Sequence, residues 1–75
     1  MADVTLDTTG LQCPWPILKA GKAMREAEPG MTLKVLATDP GSVEDFQAYC
    51  ETTGHELLEW AEEDGVFSFL LRKSS

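Results

Sequence analysis

Cysteine, histidine and positive charge are scarce in this chain of 75 residues. It has two cysteines, one histidine and six Lys+Arg against 13 Asp+Glu, for a formal charge of −7. Two cysteines make at most one internal bridge, whereas a small disulfide scaffold usually carries four or more. Two distant cysteines and a lone histidine offer no metal-ligand spacing, so no metal site is expected. The deficit of basic residues speaks against direct nucleic-acid binding, where phosphate neutralisation supplies much of the affinity. It speaks equally against anionic membrane surfaces. No apolar run approaches the roughly 18–20 residues of a membrane span. The start, Met1-Ala2-Asp3-Val4, has neither the basic n-region nor the apolar h-region of a secretory signal. The expected setting is therefore a reducing cytoplasm with two free thiols. Internal repeats, linkers and low-complexity stretches are also missing, and residues 1–75 read as one domain.

What is present is an ordinary globular composition, 43% hydrophobic and 25% charged. A chain of this size buries only about 60% of the surface it exposes when unfolded, so its core must be thin. Val4 and Leu6 alternate with Asp3, Thr5 and Asp7, which predicts a short first strand. Gly10 follows as a turn residue. Pro14 and Pro16 then open a helix whose apolar positions are Ile17, Ala20, Gly21, Met24 and Ala27, and Glu28-Pro29-Gly30 ends it. Residues 31–38 alternate as a second strand. A second helix starts near Asp39-Pro40-Gly41-Ser42, capped either by Asp39 with Pro40 at the first position or by Ser42 with Asp45 three residues on. Its inner face takes Val43, Phe46, Thr53 and either Tyr49 or Cys50, and Gly54 stops it. Residues 56–62 and 66–72 form a hairpin across Asp64-Gly65, a favoured tight-turn pair. The order β-α-β-α-β-β, with right-handed crossovers, predicts a two-layer α/β sandwich. Its four-stranded mixed sheet carries both helices on one face. The other face stays open, with Thr5, Lys34 and Ser68 suited to it and Leu36 and Leu70 as its apolar candidates.

The charges are segregated. Nine acidic residues and no Lys or Arg occur from Asp39 to Asp64. Lys19, Lys22 and Arg25, half of all the basic residues, recur at a spacing of three and form one stripe on the first helix. Beside that stripe stands the sharpest local feature, Cys13-Pro14-Trp15-Pro16. Cys13 falls at the cap position of the first helix, where the helix dipole favours thiolate over thiol. The two prolines fix the backbone and remove donors, leaving first-turn amides such as that of Ile17 for an anionic sulfur. Lys19 and Lys22 add potential of the same sign. Trp15 is either folded onto the sheet or an exposed anchor beside the sulfur. Trp60 reads as strand packing and Cys50 as an inert core thiol, while His55 reads as structural or solvent-exposed.

The stretch Leu6-Asp7, Gly10-Leu11-Gln12 and Cys13-Pro14-Trp15-Pro16 resembles the Cys-Pro-x-Pro signature of the TusA/SirA-like family of small sulfur-carrier proteins. The resemblance continues through Pro29-Gly30, Ala37-Thr38-Asp39-Pro40, Phe46 with Cys50, and Thr53-Gly54-His55-Glu56-Leu57, and spans nearly the whole chain. It implies the β-α-β-α-β-β sandwich. It also implies that Cys13 accepts sulfane sulfur as a persulfide, with Gly10, Pro14 and Pro16 positioning it. The donor would be a cysteine desulfurase or a rhodanese-like protein. The acceptor would serve tRNA thiolation, cofactor biosynthesis or sulfur oxidation. Trp15, Lys19, Lys22 and Arg25 are the candidate docking residues. Such a protein is a sulfurtransferase-type carrier rather than a turnover enzyme, monomeric when free, and needs no cofactor beyond the covalent sulfur. The alternatives are a thiol redox module using Cys13 and Cys50, and a non-catalytic interaction module. The redox module needs a disulfide between cysteines whose Cα atoms lie within about 7 Å.

Overall fold

The computed structural model describes residues 3–12 and 15–74. The elements are β1 (Val4–Thr8), α1 (Trp15–Glu26), β2 (Thr32–Ala37), α2 (Ser42–Thr53), β3 (Glu56–Glu63) and β4 (Val66–Arg72). The sheet order is β1-β2-β4-β3, with β1 parallel to β2 and the other two pairings antiparallel. Helix α1 packs on β1 and β2, helix α2 packs on β3 and β4, and the helices touch each other. This is the two-layer arrangement the alternation of strand and helix patterns predicts.

Strand parity decides what the helices cover. Leu33, Val35 and Ala37 of β2 and Phe69 and Leu71 of β4 are buried beneath them, with Ala20 and Met24 of α1 and Phe46 and Cys50 of α2. Phe69 is the centre of this thin core. Its ring stacks on Phe46 at 4.5 Å and lies 6.4 Å from Trp60 and 6.5 Å from Phe67. Cys50 takes the inner position on α2, Tyr49 sits half-buried at its flank, and Thr53 is exposed with its hydroxyl donating to the Tyr49 carbonyl at 2.7 Å. Thr5, Lys34, Leu36, Ser68 and Leu70 occupy the opposite face, as their alternation requires.

Turn chemistry fixes the ends. Asp64 and Gly65 both take positive φ, 52° and 82°, as a two-residue hairpin turn demands. Gly54, at φ 84°, closes α2 by donating to the Cys50 carbonyl at 2.9 Å. Lys73 Nζ donates to the Ala27 carbonyl at 2.6 Å and so neutralises the end of α1. The start of α2 departs from the sequence expectation. Gly41 holds the cap position without a side-chain cap bond of its own, and the Asp45 N–H donates to the Gly41 carbonyl. Ser42 is drawn inside the helix instead, where its hydroxyl is buried without a hydrogen-bond partner. Strand β3 departs too. A register shift between Leu57 and Glu59 inserts an extra residue, which places Trp60 rather than Glu59 opposite Phe69.

These details have opposite energetic signs. Phe69→Ala is expected to cost about 3–5 kcal/mol, most of the stability available to so small a domain. Ser42→Ala removes an unpaired buried hydroxyl and is expected to stabilise by ~1 kcal/mol, which raises the melting temperature by several degrees. Thermal unfolding followed by circular dichroism checks both, and a lower melting point for Ser42→Ala would contradict the orphan assignment.

Candidate functional site

Two loops meet at the end of the sheet where the parallel strands β1 and β2 finish. The β1–α1 loop is shaped first by Asp7. Its Oδ1 accepts from the Thr9 hydroxyl at 2.7 Å and the Thr9 N–H at 2.9 Å. Those two bonds, the hydroxyl first, hold the Asp7 carboxyl below its usual range. Their stabilisation is therefore complete above the ordinary carboxylate range and is lost as pH falls through it. Gly10 then turns the chain at φ 83° with open space around it, so the backbone conformation and not crowding requires glycine. Its N–H donates to Thr38 Oγ1 at 2.8 Å, which ties this loop to the β2–α2 loop. Beneath it, the buried Thr8 hydroxyl donates to the Leu36 carbonyl at 2.6 Å. The Trp15 N–H donates to the Gln12 carbonyl at 2.8 Å, which ties the start of α1 to the loop.

Of the residues singled out from sequence, Cys13 and Pro14 lie outside the described residues. Gly10 and Pro16 are placed as expected: Gly10 at the loop turn, Pro16 buried in the first turn of α1. Trp15 is 56% exposed, so it projects outward and is not folded onto the sheet. Lys19, Lys22 and Arg25 are exposed along α1. Among the described residues none of them forms an ion pair, and the one ion pair joins Arg72 to Glu56 at 2.6 Å. The first turn of α1 contains no acidic side chain, so nothing there offsets the positive end of the helix dipole. Leu18 belongs to the same outward face at 52% exposure, and the sequence reading missed it. Its signal was the spacing, three residues after Trp15 and four before Lys22.

The remaining candidates fall away from this end. Cys50 is a free, buried thiol, and burial pushes its pKa up. His55 is half-buried, and its Nδ1 accepts from the Ser74 N–H at 3.1 Å, a structural tie for the C-terminal tail. Trp60 is 44% exposed at the rim of the core, beyond simple strand packing. Among the described residues no group of His, Cys, Asp and Glu is arranged to hold a metal ion, and no helix is long and apolar enough to cross a membrane.

Residues 4–73 match the family model described as sulfurtransferase TusA. A sulfur carrier protein TusA from Allochromatium vinosum is 53% identical over 72 residues, covering 96% of this chain and 95% of that protein. A putative sulfur carrier protein from Neisseria meningitidis serogroup A is 51% identical, covering 96% and 97%. Among solved structures, a SirA-like protein from Desulfitobacterium hafniense superposes with a TM-score of 0.84 at 31% identity, covering 96% of this chain and 99% of that one.

The core position of Cys50 sets a chemical expectation. In a folded protein whose neutral thiol is favoured, that contribution is full below the ordinary thiol range and is lost as pH rises through it. Near neutral pH, Cys50 is expected to react with an aryl disulfide at least about 100-fold more slowly than in the urea-unfolded chain. Peptide mapping of the labelled protein measures this, and rapid native labelling of Cys50 would reopen the dithiol reading.

Proposed function

The chain belongs to the sulfurtransferase TusA family and is a sulfur carrier; from that premise we propose that Cys13 is the residue that bears the sulfur. The observation that supports this most is the start of α1. A twelve-residue helix begins two residues after Cys13, and its first turn holds no acidic side chain. The first-turn N–H groups of a helix lack intrahelical partners and carry partial positive charge. A thiolate or persulfide anion at that point is stabilised without a separate base.

The transfer balances as a thiol exchange. The Cys13 thiolate attacks the outer sulfur of a donor persulfide, a new S–S bond forms, the donor's S–S bond breaks, and the donor leaves as a thiolate. No net oxidation or reduction occurs and no cofactor takes part. The acceptor's thiolate then removes the outer sulfur in the same way and regenerates Cys13. The protein is thus a carrier, consumed and restored in stoichiometric steps. Gly10, Pro14 and Pro16 position the loop.

Donor and acceptor dock on the outward face of α1. Trp15 and Leu18 supply exposed apolar area flanked by Lys19, Lys22 and Arg25. Aromatic anchors with a charged surround are typical of such surfaces. The face suits an acidic partner surface, and a cysteine desulfurase or rhodanese-like donor fits the chemistry. The carrier works in the cytoplasm as a single chain, and its sulfur goes to tRNA thiolation, cofactor biosynthesis or sulfur oxidation.

Incubation with a persulfide-generating desulfurase should add one sulfur, about 32 Da, to the peptide containing Cys13. Cys13→Ser should abolish loading and Cys50→Ala should preserve it. Loading that survives Cys13→Ser would overturn the assignment. Lys19→Glu combined with Lys22→Glu should slow loading about tenfold at low salt, with the difference shrinking as salt rises. Stopped-flow transfer at two ionic strengths reads this out, and equal rates at low salt would remove the stripe from docking.

A further inference from the structure

The sheet face turned away from the helices is covered by no described element. Its side chains fall in cross-strand rows. One row places Lys34 of β2, Leu70 of β4 and Glu59 of β3 side by side, and the next places Leu36, Ser68 and Ala61 in the same order. A shallow concavity of about 470 Å³ opens over the first row. Leu36 and Leu70 are half-buried, whereas Lys34 and Glu59 are exposed on either side. With strands about 4.8 Å apart, Lys34 and Glu59 stand roughly 10 Å from each other, one strand on each side of β4. Among the described residues neither forms an ion pair. The other cation of this face, Arg72, is already matched by Glu56 at 2.6 Å.

We propose that this face is self-complementary and binds a second copy of the chain. A two-fold axis running along β4, just above the sheet, keeps each row level and exchanges the columns of β2 and β3. Lys34 then stands over the second copy's Glu59, and Glu59 over the second copy's Lys34. Leu70 meets its own symmetry mate, and Leu36 meets the second copy's Ala61. Strands of the two sheets stay nearly aligned, as sheet-on-sheet packing prefers. Arg72 approaches its mate with its charge already compensated. The bulge in β3 is what makes this possible. By shifting the register after Leu57 it brings Glu59 onto the open face level with Lys34.

The three strands that overlap about this axis, β2, β4 and β3, give a strip about 14 Å across and about 15–20 Å along the strands. That is a few hundred Å² per copy, below the ~1,200–2,000 Å² total of stable interfaces. The dimer is therefore weak and forms only at high concentration, while the chain stays monomeric when dilute. Helix α1 lies on the far side of the sheet, so its outward face with Trp15 and Leu18 is free in both states. The pairing is independent of the sulfur chemistry.

Sedimentation equilibrium of the full chain from about 10 μM to about 1 mM, in reductant to exclude thiol-linked species, tests this. A monomer–dimer equilibrium is expected. Lys34→Glu places like charges across both contacts and should raise the dissociation constant at least about tenfold. Glu59→Lys should do the same, and the two substitutions together should restore association. Far-UV circular dichroism confirms that each variant is folded, and amide shifts of Ser68 and Leu70 should change with concentration while those of α1 do not. A chain monomeric throughout, a dimer indifferent to both single substitutions, or a double variant that fails to recover would each overturn the proposal.

Discussion

Parallel pairing of β1 with β2 is the constraint from which the rest of this molecule follows. Parallel neighbours cannot be joined by a hairpin, so the chain must cross over, and a helix is the usual crossover. The helix then starts where β1 ends, at the same edge of the sheet where β2 ends and α2 begins. Both connecting loops are thereby forced together, and the hydrogen bond from Gly10 to Thr38 at 2.8 Å locks them. Open α/β sheets place their chemistry at the carboxyl ends of parallel strands for this reason. The β1–α1 loop is held by the fold at Gly10 although it is short.

The hydrophobic layer that supports this arrangement is small. Phe69 lies among the rings of Phe46, Trp60 and Phe67 and joins α2 to the middle of the sheet. With so few buried side chains, local devices carry a larger share of stability than in a bigger domain. Lys73 at the end of α1, Gly54 at the end of α2 and the Ser74 bond to His55 all act at the sheet end opposite the β1–α1 loop. One end of the molecule is stitched by polar contacts to the tail, and the other presents the exposed Trp15 and Leu18 at the start of α1.

Much of this was legible in the sequence because two periodicities and a few turn residues agree. Alternation in residues 31–38, the three-to-four spacing from Ile17 to Ala27 and the Asp64-Gly65 pair each point to one conformation, and the structure adopts it. The open face was legible for the same reason, since parity assigns Lys34 and Ser68 to it once Val35 and Phe69 are inside. The start of α2 was not. Asp39, Gly41 and Ser42 all have cap chemistry, and packing against the sheet chose the arrangement that buries Ser42. Nor was the bulge at Leu57–Glu59, because Leu57-Leu58 gives two apolar residues in succession and alternation cannot say which one is inside. Exposure of Trp15 and Leu18 was half legible: the helical spacing was readable, but which face the sheet would claim depended on Pro16, Ala20 and Met24.

The two cysteines show why residue type alone carries little functional information. Cys50 lies on the inner face of α2, and desolvation raises its pKa, so the neutral thiol is retained and the sulfur packs as a small apolar group. Cys13 precedes a helix whose positive end meets no acidic side chain in its first turn, in a protein whose surface is otherwise acidic. A net charge of −7 disfavours an anionic sulfur through long-range repulsion, but salt screens that repulsion beyond about 10 Å. The helix end acts within its first turn, where screening is weak. The acidic run from Asp39 to Asp64 is remote from α1 in sequence but not in space, because the Gly10–Thr38 bond brings the β2–α2 loop, and with it the acidic first turn of α2 at Glu44 and Asp45, to the same end of the sheet as the start of α1. A carrier must hold an anionic sulfur yet release it to the next thiol. The unpartnered N–H groups in the first turn of a helix meet both needs for an anion placed there, because they stabilise it without a fixed counter-ion in the path of an incoming partner.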